Sequence, residues 1–96
     1  MAIWFVSRHP GALHWIQKNK IHFDKHVNHL DPSAVQTDDI VIGSLPINLA
    51  AKICAQGAEY WNLSLFIPEQ ARGKELSAEE LDSYDAKLEQ FHIAKL

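Results

Sequence analysis

Ser7-Arg8-His9-Pro10-Gly11 gathers the residue types of this chain best suited to chemistry. It follows the apolar, β-prone run Ile3-Trp4-Phe5-Val6. Arg8 offers a planar fork of donors that matches phosphate. His9 is the side chain that titrates near neutral pH. Pro10 and Gly11 open a stretch with helical spacing, and a helix start presents unpaired N–H groups and a positive dipole end. The pattern reads as an anion site, for phosphate. Arg8 and the Gly11 backbone would hold the anion, His9 would move a proton, and Ser7 would position by hydrogen bonding. The plainer reading is a strand-to-helix turn with two solvated polar residues.

A second turn is built the same way. Ile40-Val41-Ile42 runs into Gly43-Ser44-Leu45, and Pro46 starts the next helical stretch. Each turn supplies a Ser, a proline-started helix and a nearby glycine, so Ser44 and Asn48 join the candidates. Trp15 follows the first turn and would either stack on a base or fill the core. Arg72, before Gly73, would lie on the same rim, as a solvated residue or as part of a flap closing on an anion, from this or a second subunit. His29 would close the second strand at its carboxyl end, beside Asp31. His22, His26 and His29 have metal-like spacing. On a strand, however, His22 and His26 share a face and His29 points the other way. No cysteine is near, so partly exposed strand histidines are the better reading and no metal or cofactor is expected. Neither a Walker loop nor a GxGxxG motif occurs.

The elements that must carry these residues can be read in order. Ile3 to Val6 is a continuously apolar strand, as in a sheet covered on both faces. A helix from Pro10 carries Ala12, Leu13, Trp15 and Ile16 and ends at Gln17-Lys18-Asn19-Lys20. Phe23 to Leu30 reads as a second strand and Asp31-Pro32-Ser33 as a turn. The third strand is Ile40-Val41-Ile42. In the helix after Pro46, Ile47, Ala50, Ala51 and Cys54 form one apolar ridge and Leu49 and Ile53 a second, so more than one surface must cover it. Gly57 suits the helix stop. Tyr60 to Ile67 is a fourth strand and Pro68 to Glu75 a loop. Ser77-Ala78-Glu79-Glu80 is a capping box opening a last helix, with Leu81, Tyr84, Leu88 and Phe91 on its apolar face.

This order, β-α-β-β-α-β-α, predicts one three-layer α/β domain over residues 1–96. Its sheet would be mainly parallel, with at least four strands and right-handed crossovers. If the first and third strands are central neighbours, both turns meet at the crevice where such sheets bind ligands.

Bulk composition sets outer limits. The chain has 96 residues, 47% hydrophobic and 22% charged, with a formal net charge of −3. Residues 1–68 carry five acids and five bases, so the excess lies in the tail, which has seven acids and four bases. An acidic chain is a poor binder of duplex nucleic acid but can hold a small anion at one locally positive place. No apolar run approaches the roughly 20 residues that span a bilayer. No signal peptide is expected, and the single Cys54 fits a reducing cytoplasm.

Five blocks of the chain carry a resemblance. Phe5-Val6-Ser7-Arg8-His9-Pro10-Gly11-Ala12, His29-Leu30-Asp31-Pro32, Ile42-Gly43-Ser44-Leu45-Pro46, Leu63-Ser64-Leu65 and Ala71-Arg72-Gly73-Lys74-Glu75-Leu76 resemble a small CRISPR-associated family of the Csx group, which accompanies type III CRISPR systems. The resemblance implies a Rossmann-like fold related to CARF domains. It also implies ring nuclease activity: cleavage of cyclic tetra-adenylate, which ends the antiviral signal. A symmetric ring suits a homodimer with one site across the two-fold axis. The ribose 2′-oxygen would attack its own phosphate, so no protein nucleophile and no metal would be required. Sponges or sensors that bind without cutting would use the same residues. An Arg-His pair also begins the Arg-His-Gly motif of histidine phosphatases. Pro10 stands here in place of that Gly, and no second His has a matching motif.

Overall fold

A computed structural model describes all residues 1–96. Eight regular elements follow one another: β1 (Ile3–Val6), α1 (Pro10–Lys18), β2 (Lys25–Val27), β3 (Ile40–Gly43), α2 (Ile47–Ala55), β4 (Glu59–Ser64), α3 (Ala78–Ser83) and β5 (Lys87–Phe91). Short 3-10 turns occupy Pro32–Ala34 and Glu69–Ala71. The strands form one sheet in the order β2, β1, β3, β4, β5. The first four are parallel and β5 is antiparallel to β4.

The apolar continuity of β1 and β3 follows from their position. Trp4 and Val41 face one layer, with Ala50, Ile53 and Cys54 of α2 and Tyr60 of β4. Phe5 and Ile42 face the other, with Ala12, Trp15 and Ile16 of α1 and Ala78 and Leu81 of α3. Adjacent residues of one strand thus enter two different cores, so alternation with polar residues is absent. Asp39 is the buried charge, 5% exposed. Its carboxylate accepts from the Ala2 and Gln36 N–H groups and from Trp4 Nε1. Burial pushes this carboxyl up, but the three donors outweigh it and hold the group below its ordinary value.

Pro10 takes the first position of α1, where its missing N–H costs nothing. Pro46 caps α2 instead of starting it. Gly57, at φ +92°, turns the chain out of α2. Of the two apolar ridges of α2, Ala50, Ile53 and Cys54 are buried, while Ile47 is 73% exposed. No helix is long and apolar enough to cross a membrane.

Three expected boundaries move. The last helix does not reach Phe91. Its capping box forms as expected, with Ser77 Oγ accepting from the Glu80 N–H and Glu80 Oε1 from the Ser77 N–H. The helix then ends at Ser83, Asp85 adopts a left-handed φ of +59°, and the chain turns back as β5. The i, i+7 spacing of Leu81 and Leu88 fits a helix, but the edge of β4 has backbone donors and acceptors that only another strand satisfies. β2 is three residues long, not eight, so His29 lies in the loop beyond it. β4 ends at Ser64 rather than Ile67, and the chain after it swings out over the sheet's end.

Candidate functional site

β1 and β3 are neighbours, and the chain leaves them for opposite faces of the sheet. Their carboxyl ends therefore diverge and leave a crevice, as at any switch point of a parallel sheet. A cleft of about 590 Å³ occupies it. Ser7, Arg8 and His9 line it from the first turn, Gly43, Ser44, Leu45 and Pro46 from the second, and Asn28 and His29 from the loop after β2. Leu65, Ile67, Lys74 and Leu76 close it from the segment between β4 and α3. No Asp or Glu lines it, although the whole chain is acidic. The walls thus combine apolar surface with Arg8, Lys74 and two imidazoles.

Each turn is held by its own hydrogen bonds. Ser7 donates its N–H to Val27 O at 3.0 Å. Its carbonyl accepts from His26 Nε2 at 2.9 Å, and its hydroxyl from the His9 N–H at 3.1 Å. Ser7 is therefore committed to the turn itself. His26 stacks against Phe5, with ring centroids 5.3 Å apart, and is a brace of the turn. The second turn rests on Tyr60, whose phenol is buried under it. The Leu45 N–H donates to Tyr60 Oη at 2.9 Å, and the phenol donates to Asn62 Oδ1 at 2.5 Å. Asn62 donates to Ser64 Oγ, and the Ser44 hydroxyl donates to Leu63 O. Burial raises the Tyr60 phenol above its ordinary value, so it stays protonated as a donor.

Arg8 has no ion pair and no hydrogen bond within the chain, and it is exposed at the rim. The first turn of α2 also leaves the Asn48 and Leu49 N–H groups without partners. Lys74, flanked by Gly73 at φ +80°, faces the cleft from the opposite side. His9 Nδ1 lies 3.1 Å from Glu75 Oε1 and 3.4 Å from Oε2.

Of the residues read from the sequence, Ser7, Arg8, His9, His29 and Ser44 meet at this cleft. Four do not. Trp15 is 5% exposed, packed under α3, with its Nε1–H donated to Asp82 at 2.7 Å; it has no face free for a base. Asn48 points to the far side of α2, into a groove shared with Ala51, Lys52, His92 and Ile93. Arg72 is exposed but lies outside the cleft walls. Gly11 is buried, and a Cβ there would stand 1.6 Å from Leu76 O. Its lack of a side chain lets the segment before α3 cross the start of α1. His22 pairs with Asp24 rather than with His26 or His29, and no three His, Cys, Asp or Glu side chains gather as metal ligands would.

Residues 4–94 match the protein family described as "Putative CRISPR-associated protein (Cas_VVA1548)". The chain belongs to this family. No curated protein and no solved structure matches it. Within this CRISPR-associated chain, Lys74, Glu75, Asn28 and Tyr60 also belong to the site, although none of them lies in either turn. Tyr60, Asn62 and Ser64 form a stripe of period two along β4, alternating with Trp61 and Leu63, and that stripe is a signal the sequence carries. Nothing in the local sequence ties Glu75 to His9, because 66 residues separate them.

Proposed function

We propose that the chain is a ring nuclease that binds and cleaves a cyclic oligoadenylate, cyclic tetra-adenylate, in type III CRISPR signalling. One observation carries the reading: an acid-free cleft at the switch point, walled by Arg8, His9 and Lys74, in a chain of a CRISPR-associated family. A cyclic nucleotide is a compact polyanion with apolar base faces, and this cleft offers both complements. The five-stranded, mostly parallel sheet is compatible with the Rossmann-like fold of CARF domains.

In this reading Arg8 holds a bridging phosphate and offsets charge as it builds on the non-bridging oxygens. His9 takes the proton of the ribose 2′-hydroxyl as the 2′-oxygen attacks in line. The P–O5′ bond breaks, and the products are a 2′,3′-cyclic phosphate and a 5′-hydroxyl. Ser44 and His29 contact the ligand. Ser7 acts by holding the turn that aims Arg8 and His9.

The cleft of one chain matches a single small ligand in volume. A ring of four nucleotides extends beyond it, so a homodimer related by a two-fold axis completes the site. The exposed Ile47 and the groove it lines with Ala51, Ala55 and Ile93 give the apolar surface for that contact.

Incubation with labelled cyclic tetra-adenylate in EDTA, followed by chromatography, tests the reading. Linear products ending in 2′,3′-cyclic phosphate are expected. A ring that is bound but recovered intact would make the protein a sponge or sensor. A ring that is neither bound nor cut would remove the cyclic-nucleotide reading.

A further inference from the structure

We infer that Glu75 is the positioning residue for His9, holding the proton on Nδ1 and leaving Nε2 as the free base toward the cleft. The inference rests on the ring nuclease reading only for its kinetic consequence. Its structural content stands separately.

A carboxylate only accepts hydrogen bonds, so the nitrogen facing Glu75 must carry a hydrogen. That nitrogen is Nδ1, 3.1 Å from one oxygen and 3.4 Å from the other. His9 lines the cleft and Glu75 does not, so the carboxylate meets the ring from outside the ligand space. Neutral imidazole with hydrogen on Nδ1 has its lone pair on Nε2. This is the relation by which a carboxylate sets the tautomer of a catalytic imidazole.

Both partners are delivered by fixed backbone. His9 is the N-cap residue of α1, and its N–H is tied to Ser7 Oγ. Glu75 directly precedes Leu76, whose carbonyl packs against Gly11 where a Cβ would stand at 1.6 Å. Ser77, next in line, is locked by its capping box. The two side chains are 56% and 68% exposed, so the pair adds little stability. An exposed pair with little effect on folding, placed beside the cleft, acts on orientation.

With this tautomer the chemical step balances simply. Nε2 accepts the 2′-hydroxyl proton, the 2′-oxygen bonds to phosphorus, and the P–O5′ bond breaks. Water supplies the proton to the leaving 5′-oxygen, and the resulting hydroxide takes the imidazolium proton.

Nitrogen-15 NMR of the histidine rings, recorded without ligand at about pH 8.5 where imidazole is neutral, tests the inference directly. The His9 signals are assigned by their loss in His9→Gln. Intact protein should show a protonated Nδ1 and a bare Nε2 at His9. Glu75→Ala should move the ring toward the Nε2–H form, and Glu75→Gln, whose Oε1 still accepts, should keep the native form. In single-turnover cleavage of cyclic tetra-adenylate, Glu75→Ala should slow the rate about 10-fold, a part of the roughly 10²–10⁴-fold that a general base supplies. Ring affinity should not change, and Glu75→Gln should restore most of the rate. A His9 tautomer that is Nε2–H in the intact protein, or unchanged in Glu75→Ala, overturns the inference even if the ring is cleaved. The expected tautomer in a protein that leaves the ring intact upholds the inference and removes the nuclease reading instead.

Discussion

Arg8 and His9 are adjacent, yet their substitutions should fail differently. Arg8 is exposed and has no ion pair in the chain, so Arg8→Ala should cost little in folding and, in the proposed reading, removes one charge-assisted contact to phosphate. A contact of about 2 kcal/mol corresponds to about 30-fold in Kd. Binding and cleavage of cyclic tetra-adenylate should both fall by that order in a titration beside a single-turnover assay. His9→Ala should lower the single-turnover rate about 10²–10⁴-fold with affinity nearly kept. An unchanged rate would take proton transfer away from His9. Gly11 is a case where two effects oppose. Alanine is the better helix former by about 1 kcal/mol. Its Cβ, however, would meet the Leu76 carbonyl oxygen at 1.6 Å and carbon at 2.8 Å, both backbone atoms. The clash wins, and Gly11→Ala should lower the unfolding temperature and displace Glu75 from His9, which calorimetry and the His9 NMR signals would register. Asp39→Asn keeps one oxygen for the Trp4 and Gln36 donors and turns its N–H₂ against the Ala2 N–H. It should cost about 1.5–3 kcal/mol in denaturant unfolding.

Most elements were legible because local and tertiary demands agree. Ile3–Val6 is β-prone and also two-sidedly buried, and Pro10 and the Ser77 box mark helix starts by backbone chemistry alone. The last segment was misread where they disagree. Leu81, Tyr84, Leu88 and Phe91 keep helical spacing, but Leu88 also fits the inward face of a strand beside Leu63. What decides is the unpaired edge of β4, which no periodicity within 77–96 reveals. Asp85 is the hinge of that outcome. Its φ of +59° is costly for a side chain branched at Cβ, by about 1–2 kcal/mol. Asp85→Val should therefore destabilise the protein by that amount, while Asp85→Gly should not, and thermal melts of the two would separate them. The candidate site divides the same way. Both turns could be read because each is continuous in sequence. Lys74 and Glu75 could not, because the crossing of α1 by the segment before α3 brings them there. Trp15 illustrates the reverse: its place after the first turn leaves both a stacked base and the core open, and its burial under α3 with the indole N–H on Asp82 makes it core.

At the scale of the molecule, four aspartates share one tendency. Asp24 is held below its ordinary value by the Ile3 N–H and then by His22. Asp31 is held down by Ser33, and Asp82 by Lys18 and Trp15. Asp39 is pushed up by burial but pulled lower by its three donors. A folded-state value below the unfolded one gives stability above the unfolded value of 3.8 that is lost as pH falls through the folded value. Lys18, raised by Asp82, acts in the opposite direction: its share is present below 10.5 and lost as pH rises past its folded value. Melting temperature should hold from neutrality to about pH 5 and drop below about pH 4. Asp39→Asn should flatten that drop, and added salt should weaken the Lys18–Asp82 share. The two outermost strands carry a further consequence. β2 is three residues long with Lys25 and His26 exposed, and β5 presents Lys87 and Gln90 at its outer side. Brevity at the β2 border and polar or charged side chains at both discourage a second chain from hydrogen-bonding onto the sheet. The dimer proposed above would thus form through helices and loops, leaving each sheet closed to growth. The folded protein therefore offers fibril growth a poor template.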